Sequence, residues 1–193
     1  MRVRRSPVDG CPIFGGPGCN AILRHYERYI HGVVVDMGCN HGACTFLAAE
    51  LQGVQQVMGL DLNEAAITVA RQTAARTGKE DVVKFVVTNL CDLSQTLSDQ
   101  SIDTVVSFHA IEHIYPSDID AVVAEFRRVL RRGGHAVISI PYDHHYSDPC
   151  HVAFYVEQTL SALFERNGFE TIECVRDDRW PEKNLLTGVF CRR

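Results

Sequence analysis

Residues 109–113 read HAIEH, two imidazoles around a carboxylate within five positions. If the segment opens a helix, His109, Glu112 and His113 stand at i, i+3 and i+4 and share one face. Such a set can act as a general base with helpers, or hold a divalent metal. A second stretch, PYDHHYSDPCHVAFY at 141–155, adds His144, His145 and His151 with Tyr142, Asp143, Tyr146 and Asp148. Six of the nine histidines fall between 109 and 151, a clustering that favours a site over scattered surface residues.

Positioning these groups requires a sheet. Compact apolar runs predict strands over Val33–Asp36, Val57–Leu60, Val82–Val87, Ile102–Phe108 and His135–Ile140, then a last pair over Phe169–Val175 and Leu186–Cys191. Between them, the pattern predicts helices over Thr45–Leu51, from Asn63 to about Arg76, from Ser117 to Leu130, and over Glu157–Asn167. Gly53, Gly78, the Gly133–Gly134 pair and Gly168 stand as their stops. Ser117 and Asp120 have capping-box spacing. A further short helix is expected from an Asn20 cap to about Ile30. Alternating strands and helices imply right-handed βαβ units, hence a doubly wound α/β sheet covered on both faces. The last two strands lack an intervening helix and are expected to be antiparallel. Residues 1–31 read as an N-terminal extension and 32–193 as the domain.

Composition sets limits. The chain has 193 residues, 46% hydrophobic and 22% charged, with net charge −5, which argues against a broad nucleic-acid footprint. No apolar run approaches the ~18 residues that span a membrane. The first residues lack a signal peptide's apolar core, so a cytoplasmic location is expected. The eight cysteines are scattered without a CxxC pair, and reduced, buried thiols are expected, with Cys11 and Cys19 flanking a Gly/Pro-rich loop. Monomer and homodimer both stay open.

In doubly wound sheets ligands bind beyond the carboxyl ends of the strands. The first strand runs into DMGCNHG at 36–42, where glycines let backbone N–H groups approach a ligand. Asp36 could accept bonds from a cationic or amino-bearing group, directly or through water. Asp61, at the end of the next strand, is placed to chelate ribose hydroxyls. Glycines plus an acid at the next strand end point to a nucleoside ligand. The pattern differs from the GxGxxG of nicotinamide folds.

At these residues the chain resembles the class I S-adenosylmethionine-dependent methyltransferases, in particular those acting on small molecules. VVVDMGCNHG, MGLDLNEAAITVAR, VKFVVTNLCDL, SIDTVVSFHAIEHI and EFRRVLRRGGHAVISIP resemble five family motifs in order. The resemblance implies a seven-stranded sheet with its last strand antiparallel. It implies cofactor contacts from Gly38, Cys39, Asn40, Gly42, Leu62 and Phe108, ribose binding by Asp61, and adenine flanked by Asn89 and Leu90. Asn40 stands where the family has its second glycine. Asn89 stands where it has an aspartate, with Asp92 nearby.

HAIEH then faces the transferring methyl group. His113 or His109 would be the base, and His151 would orient the substrate. The segment is also similar to the E-x-x-E-H of ubiquinone-pathway and small-RNA 2′-O-methyltransferases. That likeness implies a zinc, manganese or iron site from His109, Glu112, His113 and His151, with His109 in place of the first glutamate. Metal-free base catalysis on an oxygen or nitrogen of a small molecule is the leading expectation. The alternatives are a metal-dependent RNA 2′-O-methyltransferase and a non-catalytic cofactor-binding or partner subunit.

Overall fold

A computed structural model describes residues 17–142, 150–177 and 184–193. Its elements in chain order are α1 (Pro17–His25), β1 (Gly32–Met37), α2 (Ala43–Ala48), β2 (Val54–Asp61), α3 (Glu64–Thr77), β3 (Val83–Val87) and β4 (Ile102–Phe108), then α4 (Ile119–Val129), β5 (Leu130–Pro141), α5 (Glu157–Arg166), β6 (Phe169–Asp177) and β7 (Leu185–Arg192). The seven strands form one sheet in the order β3-β2-β1-β4-β5-β7-β6. All neighbours are parallel except β7, which runs antiparallel to both β5 and β6. Chain order reverses direction between β1 and β4, and the crevice there is where such sheets take ligands.

Two cores follow from the two faces. One packs α4 and α5 through Val122, Val123, Phe126, Leu160, Leu163 and Phe164. The other packs α1, α2 and α3 through Ile22, Leu23, Tyr26, Ala48, Ile67 and Ala70. Strands buried on both faces read as continuous apolar runs, which is why β1 and β4 stood out in the sequence. Local chemistry also delivers α3 as expected. The Asn63 side chain accepts from Ala66 N, and Gly78 closes the helix in the left-handed region at φ +66°.

Four expectations need correction. Helix α1 already starts at Pro17, so Asn20 lies inside it; it ends at His25 and a 3-10 turn over Glu27–Tyr29 follows. Helix α4 stops at Val129, before the glycine pair, because Leu130 turns extended and pairs with Ile102 as the first residue of β5. The Ser117–Asp120 box does not form: Asp120 instead accepts from Arg166 of α5 and from Asn167 just after it at 2.8–3.0 Å. Finally, the cysteines are not all reduced. Cys19 of α1 is disulfide-bonded to Cys44 of α2, while Cys39, Cys91, Cys174 and Cys191 carry free thiols, only Cys39 of them buried. Cys11 lies outside the described residues, as do His144, His145 and the neighbouring acids and tyrosine.

Candidate active site

The loop after β1 turns on three left-handed residues, Gly38 (φ +82°), Asn40 (φ +48°) and Gly42 (φ +84°). A Cβ on Gly38 would sit 2.4 Å from Ala110 Cβ, so this glycine brings the loop directly against HAIEH. Asparagine tolerates the left-handed backbone, and Asn40 N donates to Asp61 Oδ2 at 2.8 Å. Asp61 Oδ1 accepts from Asn63 N at 2.8 Å. Both carboxylate oxygens are thus oriented by backbone N–H groups. Leu62 beside them is 47% exposed, an apolar shelf at the strand end.

Asp36, read from the sequence as a cofactor contact, sits near the end of β1. It is buried beneath the loop, and its Oδ2 accepts from Thr45 Oγ1 at 2.6 Å. Burial pushes its pKa up to about 7, opposed by the Thr45 bond and reinforced by the Asp61 charge. Cys39 and Phe108 are buried too. Asn89 uses Oδ1 in a local turn, accepting from Cys91 N at 3.0 Å, and Leu90 packs against the first core. Asp92 is occupied locally, accepting from Ser94 N.

HAIEH does not open a helix. His109 adopts φ +53° with its N–H on Ser139 O, and only a 3-10 turn follows over Ile111–His113. The three side chains still converge, because Glu112 is 2% exposed and lies between the rings. His109 Nδ1 stands 3.7 Å and His113 Nε2 4.0 Å from Glu112 Oε1. The segment 150–156 ahead of α5, here called the strap, joins them by backbone bonds: Val152 N and Ala153 N both donate to Glu112 O, at 2.9 and 3.1 Å. His113 Nδ1 lies 3.0 Å from Cys150 O, and the His113 and His151 rings meet edge to face at 4.8 Å. One ligand atom from each of Glu112, His113 and His151 fits within 4.8 Å of the others. His109 is outside that trio. Burial, with the neighbouring His113 and His151, lowers its pKa to about 4, which keeps it neutral near pH 7 and poorly matched to a base at that pH.

Sequence reasoning missed several supporting groups. Thr45 holds Asp36, Ala110 receives Gly38, and the Cys150 carbonyl orients His113. Tyr155, beside Glu112, has its phenol pushed up to about 12 by burial and then by that carboxylate. A 360 Å³ cavity runs along the strap, lined by Ile119, Val152, Phe154, Tyr155 and Leu163 among others. Apart from the Thr45–Asp36 bond, which spans nine residues, these depend on segments far apart in sequence.

Comparison with known proteins assigns the class. The methyltransferase domain family's model matches residues 35–138. A probable S-adenosylmethionine-dependent methyltransferase of Mycolicibacterium smegmatis is 33% identical over 156 residues, 75% of this chain and 56% of that protein. A ribosomal protein L11 methyltransferase of Desulforamulus reducens is 25% identical over 166 residues, 85% of this chain and 47% of that protein. The chain therefore spans about half the length of these curated relatives. A geranyl diphosphate methyltransferase solved with SAM superposes with TM-score 0.72 at 16% identity, over 90% of this chain and 85% of that one, a likeness of fold. The chain belongs to the methyltransferase domain family, of the class I S-adenosylmethionine-dependent type. The residues present fit that cofactor: a loop whose Gly38, Asn40 and Gly42 take left-handed backbone, and an oriented carboxylate at the β2 end.

Proposed function

We propose that the protein methylates an oxygen or nitrogen of a small-molecule acceptor, with Glu112, His113 and His151 handling the acceptor. S-adenosylmethionine, when bound, supplies an electrophilic methyl group on a sulfonium. Asp61 would hold its ribose, the Gly38–Gly42 loop its methionine part, and Asn89 and Leu90 its adenine. The observation that carries the reading is the convergence of Glu112, His113 and His151 within 4.8 Å of one another, the first two on the segment packed against Gly38.

His113 suits the base. A hydrogen on Nδ1, donated to Cys150 O, leaves the lone pair on Nε2. That Nε2, which would take the acceptor's proton, lies 4.0 Å from Glu112 Oε1. His151 orients the acceptor, and the neutral His109 packs beside Glu112. Residues 32–193 form the catalytic domain in this reading, and 1–31 its extension.

A second reading uses the same trio as a divalent metal site. Two imidazole nitrogens and a carboxylate oxygen suit zinc, manganese or iron. The Cys150 carbonyl would fix the His113 tautomer, as outer partners of metal-ligating histidines do. When bound, the ion would polarise the acceptor's oxygen.

The test is release of S-adenosylhomocysteine across a panel of small hydroxyl and amine acceptors, with and without chelator, in wild type and His113→Ala. Turnover that survives chelation and drops at least a hundredfold in the variant is expected. Turnover lost on chelation and restored by one metal selects the second reading. No turnover with any acceptor, or turnover indifferent to His113, overturns the assignment.

A further inference from the structure

Among the described cysteines one pair is bonded: Cys19, the third residue of α1, to Cys44, the second residue of α2. Cys39, Cys91, Cys174 and Cys191 keep free thiols. A single disulfide beside several free thiols fits a bond that opens and closes better than a permanent framework. Both bonded residues are half-buried, so a thiol can reach the sulfurs. Cys39, the cysteine nearest to Cys44 in sequence, is buried, and burial raises its thiol pKa, so it does not compete in exchange.

The bond sits where opening it reaches the cofactor loop and little else. Helix α2 is six residues long, and its N-cap, Gly42, offers no side-chain cap. A helix so short does not hold by itself. Its first turn is fixed by tertiary contacts: the Cys44 bond to α1, Thr45 Oγ1 donating to Asp36 Oδ2 at 2.6 Å, and Phe46 against Phe85 with ring centroids 5.4 Å apart. Its first backbone bond, from Phe46 N to Gly42 O at 2.9 Å, ties that turn to the loop. The chain after Cys19 stays anchored without the sulfurs, because Ile22, Leu23 and Tyr26 are at most 1% exposed.

We propose that Cys19 and Cys44 form a reversible thiol–disulfide site that sets cofactor affinity, tight when bonded and weaker when reduced. The reductant is a dithiol. One of its thiolates attacks a sulfur of the pair, breaking the S–S bond and forming a mixed disulfide; its second thiolate then releases the remaining cysteine. Two electrons and two protons pass to Cys19 and Cys44, and the dithiol leaves as a disulfide. The inference rests on the cofactor assignment, not on the acceptor's identity or on a metal at Glu112.

Calorimetric titration of S-adenosylhomocysteine tests it, on the full chain oxidised, reduced with dithiothreitol, and reoxidised, and on Cys19→Ser/Cys44→Ser. The bonded form should bind at least threefold more tightly than the reduced form, and reoxidation should restore that affinity. The double variant should bind like the reduced form and ignore dithiothreitol. Across a series of dithiothreitol redox buffers, the free-thiol count by mass spectrometry and the affinity should change together. Far-UV circular dichroism of the reduced chain should match that of the oxidised chain at the assay temperature. Equal affinity in the two redox states, the same response in the double variant, a pair that dithiothreitol does not open, or loss of the fold on reduction overturns the proposal and leaves the bond as a structural tie. Absence of binding in every form fails the cofactor assignment itself, and the proposal with it.

Discussion

The Cys19–Cys44 disulfide ties α1 to the first turn of the helix that follows the cofactor loop, and breaking it should have two separable effects. The bonded residues are 25 apart in sequence. By chain-entropy reasoning, closing a loop of that length in the unfolded state contributes about 3.5 kcal/mol of stability. For a chain of this size, each kcal/mol moves the melting temperature by roughly 2–4 °C, so Cys44→Ser, or reduction of the wild type, should lower it by about 7–14 °C. The second effect is local. Cys44 lies two residues past Gly42, and Phe46 N bonds Gly42 O, so releasing the helix start should loosen the loop and weaken S-adenosylhomocysteine binding severalfold. The assay is differential scanning calorimetry with and without dithiothreitol, for wild type and Cys44→Ser, together with a free-thiol count by mass spectrometry. Wild type should fall to the variant's melting temperature when reduced, and the variant should not respond. Equal melting temperatures for oxidised wild type, reduced wild type and variant would refute the reasoning.

Three further outcomes are expected. Asp36 keeps its proton to about pH 7 when folded, against an ordinary carboxyl value of 3.8; the native state therefore binds more protons across that window, and stability should fall as pH rises from about 4 to 7, by up to about 4 kcal/mol. Asp36→Asn should flatten that slope, read from urea midpoints at several pH values, because the amide oxygen still accepts from Thr45. Gly38→Ala should cost at least about 2 kcal/mol, from the left-handed backbone and the contact 2.4 Å from Ala110 Cβ, and should abolish cofactor binding in a calorimetric titration. Asp61→Ala should raise the S-adenosylhomocysteine dissociation constant at least tenfold and destabilise the fold by about 1–3 kcal/mol, since Asn40 N and Asn63 N both lose their acceptor.

Much of the architecture is written in local chemistry. The span of β4 and the ends of α3 follow from apolar run length, the Asn63 cap and the Gly78 stop, all decided within a few residues. The parallel sheet follows from the alternation of elements, and the glycine loop and Asp61 mark the cofactor end because their spacing is carried along one βαβ unit. Other features depend on groups that meet only after folding. Asp120 leaves its capping box because Arg166 arrives from α5 and Asn167 from just after it. α4 ends early because Leu130 finds a strand partner in Ile102. Cys19 finds Cys44 across packed helices, and Asp36, an open carboxylate in sequence, is buried under Thr45. HAIEH shows the division most clearly. Its composition announced a cluster, but the helical face inferred from spacing was not what assembled it. Glu112 meets His113 and His151 because β4 ends beside the strap after β5, and two N–H groups of that strap close on one carbonyl. Periodicity and capping are short-range energies that a linear pattern encodes, whereas which carboxylate faces which imidazole is decided by non-local packing.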